Sequence, residues 1–253
     1  MDDPLALLLQ LPRGPARPCP YLPGRTTVNI AFLADALDPD LYHALMDRRF
    51  RRSGRLFYRP ECPGCRECVP IRVPTASFEP TKSQRRSARR NPDLLVAAAP
   101  PRFTPEKQDL YVRYVRGQHG TDEDGDGLQD FLYDSPVDTL EFEYRTSDGR
   151  LVGVGICDVC GSSLSSVYFY FDPDEARRGL GTFSALFEIQ WARERGIPYY
   201  YLGFYIRGCG RMNYKARFRP CELLDPATGR WRPYDPAADG PPDERGTGAD
   251  GAP

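Results

Sequence analysis

The run TLEFEYRTSDGRLVGVGICDV, residues 139–159, carries the strongest fold signal in the chain. Apolar and polar residues alternate over Thr139–Thr146 and again over Leu151–Val159, and Ser147-Asp148-Gly149-Arg150 lies between them. An Asp-Gly turn between two alternating runs is typical of a β-hairpin. This stretch therefore predicts two antiparallel strands within a sheet that has one buried face.

Further elements follow towards the C-terminus. A third strand is predicted at Leu164–Phe171, an amphipathic helix at Leu180–Arg195 and a buried strand at Tyr199–Ile206, with a helix at Pro105–Arg116 before the hairpin. Three antiparallel strands, a glycine-led helix and a further strand is the order typical of an acyl-coenzyme A N-acyltransferase core. We expect an α+β or α/β fold whose mixed sheet carries helices on both faces.

Changes in residue composition along the chain predict four parts. Residues 1–18 read as an irregular arm, 19–103 as a basic, cysteine-containing N-terminal domain, and 104–234 as the acyltransferase-like domain. Residues 235–253 are mostly Pro, Ala, Asp and Gly, too poor in apolar side chains to bury a core, and predict a disordered tail.

Charge is strongly uneven along the chain. Between Arg48 and Arg90 there are thirteen Arg and Lys residues against three acids, whereas the whole protein has a net charge of −1. A predicted helix at Ser83–Arg90, with Ser83 as N-cap, places four of these arginines at i,i+4 spacing on one face. A local field of this size predicts a polyanionic partner such as a nucleic acid.

Cysteines cluster inside the basic region. Cys62, Cys65 and Cys68 have the two-residue spacing that metal chelation uses, and Cys19 is the natural fourth ligand. The pattern leaves a zinc site, an iron–sulfur cluster and plain buried thiols open.

Composition excludes two classes of protein. With 40% hydrophobic and 12% aromatic residues, the chain is globular rather than disordered. The apolar run Leu5–Leu11 is too short to span a bilayer and follows two acids, so it predicts neither a membrane helix nor a signal peptide. We expect a cytoplasmic protein without a membrane partner.

Three ordered motifs resemble a known family. They are Arg51–Pro60; Tyr168–Pro173 followed by Leu180-Gly181; and Tyr201–Ile206 followed by Met212–Lys215 and Arg219-Pro220. Together they resemble the aminoacyl-tRNA–protein transferases of the N-degron pathway, more closely the bacterial aspartate/glutamate leucyltransferases than the arginyltransferases. The resemblance covers about Pro12 to Tyr234.

This resemblance implies a reaction. An aminoacyl group, with leucine favoured, passes from aminoacyl-tRNA to the α-amine of proteins that begin with Asp or Glu and marks them for degradation. The donor ester is already activated, and an α-amine with a pKa of about 8 is partly neutral near neutral pH, so no cofactor is expected for the chemistry. Three alternatives remain: an arginyl-tRNA–protein transferase, an acyl-coenzyme A N-acyltransferase and a non-catalytic RNA-binding protein.

The resemblance and the charge pattern together predict the site residues. Tyr205, Tyr214 and Lys215 are expected to be catalytic. The acidic side chain of the acceptor is assigned to Lys215, with Arg211, Arg72 and Arg219 as further candidates. Contacts with tRNA are assigned to Arg51, Arg52, Arg85, Arg86, Arg89 and Arg90.

Overall fold

A computed structural model describes residues 7–8, 10–120, 122 and 124–242. The strands in this part of the chain are β1 Arg17–Pro18, β2 Thr26–Thr27, β3 Asn29–Leu33, β4 Arg51–Ser53, β5 Leu56–Pro60, β6 Val69–Pro74, β7 Leu95–Ala99, β8 Thr139–Arg145, β9 Leu151–Cys160, β10 Ser163–Phe171, β11 Tyr199–Tyr205, β12 Glu222–Leu224 and β13 Trp231–Pro233. The α-helices are α1 Pro39–Met46, α2 Lys82–Ala88, α3 Pro105–His119, α4 Leu180–Glu194, α5 Gly210–Asn213 and α6 Pro236–Asp239. None of the helices in the described segments is long and apolar enough to cross a membrane.

One large mixed sheet organises the molecule. Its eight strands run in the order β13-β12-β6-β11-β10-β9-β8-β7. The predicted hairpin is present as β8 and β9, β10 is antiparallel to β9, and β11 returns parallel to β10 after helix α4. The predicted fold class, a mixed sheet with flanking helices, is confirmed.

Helices cover both faces of this sheet. On one face Tyr111 of α3 packs against Tyr170 of β10, with ring centroids 5.6 Å apart. On the other face Phe187 of α4 packs against Phe142 of β8 at 6.1 Å. Since Phe142 and Tyr170 point to opposite faces through the register of β8, β9 and β10, the two helices enclose the sheet between two apolar layers.

The basic N-terminal region builds a smaller sheet and also contributes to the large one. Strands β3, β5 and β4 form a three-stranded antiparallel sheet packed on α1, with Tyr42 and Phe57 in its core. Strand β6 pairs with β11, and β7 pairs with β8, so the large sheet contains strands from both sides of residue 103. The division of the chain into four separate parts stays a prediction.

The N-cap of the arginine-bearing helix lies two residues earlier than expected. Its N-cap is Thr81, not Ser83, because Thr81 Oγ1 accepts from Gln84 N while Gln84 Oε1 accepts from Thr81 N. This reciprocal capping box satisfies two backbone donors that Ser83 would leave open.

Part of the predicted disordered tail is packed in the structure. Asp239 of α6 is buried and forms an ion pair with Arg232. Residues 243–253 of the predicted tail, and residues 1–6 and 9 of the predicted arm, lie outside the described residues.

Candidate active site

A cavity opens where strands β10 and β11 part. The two strands pair in parallel only over Ser163–Ser165 and Tyr199–Tyr201. Beyond these pairs β10 has a bulge between Ser166 and Tyr168, and the pairing of β11 with β6 is irregular up to Phe204. Bulges redirect side chains and end strand pairing. The resulting space is about 880 Å³ when the open solvent at its mouth is included.

Aromatic side chains and hydroxyl groups form most of the cavity wall. The aromatic lining residues are Tyr21, Tyr58, Phe131, Tyr168, Phe169, Tyr200, Phe204 and Tyr214. Such walls suit an apolar side chain and the flat face of a nucleobase.

Two cations converge on one point of this wall. A Cβ atom added to Gly203 would lie 3.5 Å from Arg51 Nη2 and 3.6 Å from Lys215 Nζ. Gly203 has a φ of +86°, a left-handed conformation that favours glycine, and the missing side chain also leaves room for both cations. Arg51 Nη2 donates to the carbonyl oxygen of Ser166 at 2.8 Å. Two neighbouring positive groups in an apolar cavity suit a carboxylate.

The first two turns of α4 face the same cavity, through Gly181 in the first and Ser184 in the second. The N-cap of the helix is Gly179, which has a φ of +66° and makes no side-chain hydrogen bond to the helix. Backbone N–H groups at a helix start carry partial positive charge and can receive an anion or a polarised carbonyl oxygen. The positive end of a helix therefore adjoins the cavity wall at Gly181.

Five of the predicted site residues line the cavity together: Arg51, Arg52, Arg211, Tyr214 and Lys215. Arg211 also donates to the carbonyl oxygen of Pro20 at 3.0 Å, which ties α5 to the N-terminal segment. The placement of Arg51 differs from the expectation of a phosphate contact on the surface.

Tyr205 lies on the other side of β11. Its hydroxyl donates to the carbonyl oxygen of Asp239 at 2.9 Å, whereas the preceding residue, Phe204, faces the cavity. Consecutive side chains of a strand point to opposite faces. The predicted catalytic role of Tyr205 therefore has no geometric support, and its contact instead anchors the C-terminal segment.

Arg52 is buried and paired with a carboxylate. Its side chain is 0% exposed, and its Nε and Nη2 atoms donate to the two carboxylate oxygens of Asp158 at 2.7 and 2.5 Å. A phosphate cannot reach this guanidinium, so Arg52 does not serve as the predicted tRNA contact. Its role is to join the small sheet to β9.

Two of the predicted acceptor-binding arginines lie outside the cavity. Arg72 stacks between Tyr199 and Trp231, with its Cζ atom 3.7 and 4.1 Å from the ring centroids, and its Nε donates to Glu222 at 2.7 Å. Arg219 is exposed and lies 5.0 Å from the ring centroid of Tyr234. The charge of Arg72 is already neutralised, and Arg219 is on another surface.

The remaining predicted tRNA contacts form an exposed basic surface, which we call the α2 arginines: Arg85, Arg86, Arg89 and Arg90. Helix α2 is held against the segment that leads into α4, because Asn91 Nδ2 donates to Arg178 O at 3.1 Å and Arg90 Nη1 to Arg177 O at 3.3 Å. The basic surface thus adjoins the helix whose first turn faces the cavity.

The four cysteines predicted as metal ligands are neighbours but do not form a chelating set. Cys62 Sγ accepts from Val28 N at 3.4 Å, and burial, followed by the nearby thiols, raises the pKa of Cys68 to about 12. Across the described ranges, no group of three or more His, Cys, Asp or Glu side chains is placed to hold a metal ion. The metal site stays a prediction that this geometry does not support.

Comparison with known proteins decides the family. Residues 17–86 match the model of the arginine-tRNA-protein transferase N terminus, and residues 106–225 match that of the C terminus. An aspartate/glutamate leucyltransferase of Hahella chejuensis is 40% identical over 219 residues, covering 83% of this chain and 92% of the relative. One from Stenotrophomonas maltophilia is 42% identical over 238 residues, covering 88% and 92%.

The chain belongs to the aminoacyl-tRNA–protein transferase family. The resemblance of the three sequence motifs is thereby confirmed, and the chain is an enzyme. Among solved structures, this transferase has a partial likeness to a GCN5-related N-acetyltransferase from Kribbella flavida, with a TM-score of 0.34 and 15% identity, covering 69% of this chain and 57% of that one.

Ser166, Tyr200 and Glu188 were not among the site residues predicted from the sequence. Ser166 and Tyr200 line the cavity, and Glu188 lies directly behind Tyr200. Glu188 is a carboxylate within the apolar stripe of α4, and Gly203 interrupts the aromatic run of β11. Both are departures from pattern that mark special positions in a buried helix face or strand.

Proposed function

We propose that this transferase moves leucine from leucyl-tRNA to the α-amine of proteins that begin with Asp or Glu, acts in the cytoplasm, and thereby marks those proteins for degradation. The relatives that bear the name aspartate/glutamate leucyltransferase support the substrate pair. The observation that carries the proposal is the convergence of Arg51 and Lys215 on Gly203 inside an aromatic cavity.

The two cations suit the acceptor. An acidic first residue must leave water to enter the cavity, and a desolvated carboxylate requires charged hydrogen-bond donors. Arg51 and Lys215 offer these donors at one wall, and Arg211 lines the same cavity. An acceptor beginning with Asn has a side chain of the same shape but no negative charge, and would gain much less from this pair.

The aromatic walls and the α4 start suit the donor. The leucyl side chain is apolar and the terminal adenine of the tRNA has a flat face that stacks on aromatic rings, and the α2 arginines supply phosphate contacts next to the helix start. Phosphate contacts hold tRNA without reading its sequence, so the aminoacyl group itself must be selected within the cavity.

The chemistry is aminolysis of an ester. The neutral α-amine attacks the carbonyl carbon, a C–N bond forms, the C–O bond to the ribose breaks, and the amine proton passes to the leaving ribose oxygen. Holding the two substrates in one cavity lowers the barrier through proximity, and N–H donors at the start of α4 can stabilise the developing oxyanion.

A transfer assay tests this function directly. Purified protein is incubated with tRNA charged with labelled leucine or labelled arginine, and with peptides that begin with Asp, Glu, Asn or Ala. We expect label from leucyl-tRNA on the Asp and Glu peptides, and none on the same peptides after N-terminal acetylation. Equal transfer to all four peptides, or transfer of arginine but not leucine, would overturn the proposal.

A further inference from the structure

A buried carboxylate lies behind the cavity wall. Glu188 of α4 is 1% exposed. Its Oε2 atom accepts from the hydroxyl of Tyr200 at 2.5 Å and from Cys157 Sγ at 3.3 Å, and its Oε1 atom accepts from the hydroxyl of Tyr144 at 3.3 Å. All three partners are neutral donors, so the carboxylate is solvated by the protein without a counter-charge among these contacts.

The backbone beneath this carboxylate leaves room for it. A Cβ atom on Gly155 of β9 would lie 2.7 Å from Glu188 Oε1, closer than any real contact of this kind. Any larger residue at this position would therefore displace the carboxylate. Three hydrogen-bond donors and a glycine that leaves space thus form a niche that fits the carboxylate.

Hydrogen bonds connect the niche to the cavity. Tyr200 lines the cavity and donates to Glu188, and the half-buried Ser166, which also lines it, is near enough to the Tyr200 hydroxyl to act against the burial that raises the Tyr200 pKa. The Tyr200 hydroxyl thus joins the cavity to Glu188, and Ser166 lies beside it in the cavity wall. Tyr144 and Cys157 contact the same carboxylate but are fully buried and do not line the cavity.

The titratable groups that face Glu188 are Tyr200 on β11, Tyr144 on β8 and Cys157 on β9. Burial, the largest effect, raises the pKa of Glu188 to about 7, against the three hydrogen bonds that lower it. Burial also raises the pKa of each of the three partners well above its ordinary value, so they stay neutral. Glu188 is the group of this cluster that exchanges a proton near neutral pH.

We propose that Ser166, Tyr200 and Glu188 form a proton relay that takes a proton from the attacking amine and returns it to the leaving ribose oxygen. The inference rests on the proposed function. As the C–N bond forms, the amine proton passes to Ser166, the Ser166 proton to Tyr200 and the Tyr200 proton to Glu188 Oε2. As the C–O bond breaks, the three transfers reverse, and the proton ends on the ribose oxygen.

The relay supplies what the cavity wall lacks. The lining residues of the cavity, within the described part of the chain, include neither a carboxylate nor an imidazole. A base is most effective when its pKa lies near the working pH, and that of an α-amine lies about one unit higher. Glu188 acts through the two hydroxyls, without touching either substrate.

The test compares two hydroxyl deletions at the same carboxylate. Tyr200→Phe breaks the relay, whereas Tyr144→Phe removes a bond of the same kind that leads away from the cavity. Single-turnover transfer of leucine to an Asp peptide is measured from about pH 5.5 to about pH 9, together with KM for both substrates.

We expect the wild-type rate to rise with pH through a limb at about pH 8, where the peptide α-amine loses its proton in every variant, and through a limb at about pH 7 that belongs to Glu188, and then to level off. Tyr200→Phe should lower the plateau by about 100-fold or more, abolish the Glu188 limb and leave both KM values unchanged. Tyr144→Phe should keep the plateau and move the Glu188 limb to higher pH, because one bond that lowers the Glu188 pKa is lost. Glu188→Gln should reproduce the Tyr200→Phe profile.

Equal profiles for Tyr200→Phe and Tyr144→Phe would overturn the relay, and so would a wild-type profile in Glu188→Gln. A loss that follows thermal unfolding equally in all three variants would assign the niche to stability alone. These results are separate from a failure of the proposed function, in which the wild type itself transfers no leucine to acidic peptides.

Discussion

Arg51 and Arg52 are adjacent on strand β4 and have opposite fates. Arg52 points to Asp158 and is neutralised by it, whereas Arg51 points into the cavity and donates to the neutral carbonyl of Ser166. A buried cation with a matched carboxylate serves the fold. A buried cation that donates to a neutral carbonyl group keeps an uncompensated positive charge, which can attract an anion.

The same contrast separates two buried carboxylates. Asp158 faces Arg52, and its Oδ1 atom also accepts from Thr139 Oγ1 at 2.8 Å, whereas Glu188 is held by two tyrosines and a cysteine. Charge on Asp158 is compensated, and charge on Glu188 is not. The former is suited to holding two sheets together, and the latter to exchanging a proton.

Removing the compensated arginine should have the largest effect. Arg52→Met leaves Asp158 buried without its counter-charge, and we expect the free energy of unfolding to fall by about 3–5 kcal/mol in urea titrations. The matched control is Arg55→Met on the neighbouring turn, where the exposed pair with Asp35 should change stability by less than about 1 kcal/mol. Similar losses in both variants would contradict the distinction.

The uncompensated carboxylate should make stability depend on pH. The folded-state pKa of Glu188 is raised to about 7, so the folded protein binds the extra proton and this group's contribution to stability is lost as pH rises from about 4.5 to about 7. Glu188→Gln removes this loss. Relative to the wild type, the variant should gain on the order of 3 kcal/mol between the two ends of that range. The same difference in free energy of unfolding between the wild type and Glu188→Gln at all pH values would contradict the prediction.

Lys215 should affect transfer more than stability. Lys215→Met removes one of the two cations at Gly203, and the loss in kcat/KM for Asp and Glu peptides should be about 2–3 kcal/mol, with binding of leucyl-tRNA retained. Arg219→Met is the control, since Arg219 is exposed on another surface. An equal loss of tRNA binding would instead place Lys215 at the donor.

The α2 arginines should contribute least per residue. Replacing all four by Gln removes exposed charge without disturbing the capping box of α2, so folding should be unaffected. The slope of log affinity for tRNA against log salt should flatten by up to about 3, with each lost phosphate contact contributing about 0.7–0.9. An unchanged slope with full activity would remove this surface from the tRNA path.

Local pattern predicted the fold well. The Asp148-Gly149 turn indicated the β8–β9 hairpin, and the strand predicted at Tyr199–Ile206 is observed as β11, Tyr199–Tyr205. The N-cap of α2 was wrong by two residues because Thr81 and Ser83 are both good caps, and Gln84 in the third position favours Thr81.

The site was predicted only in part, for a physical reason. Charge density could not tell Arg51 from Arg52, since β4 is three residues long and which side each points to depends on β9 and β10 across the interface. The proximity of Ser166, Tyr200 and Glu188 depends on the parting of β10 and β11. The sequence signal for this proximity was Glu188, a charged residue in the apolar stripe of α4.

The most direct measurement is the ratio of kcat/KM for an Asp peptide over the matching Asn peptide, in the wild type and in Arg51→Met. If Arg51 holds the acceptor carboxylate, the ratio should fall about 30- to 100-fold, because the variant loses a charged hydrogen bond that only the Asp peptide uses. The thermal stability of Arg51→Met should change much less than that of Arg52→Met. An unchanged ratio, with both peptides impaired equally, would contradict the account.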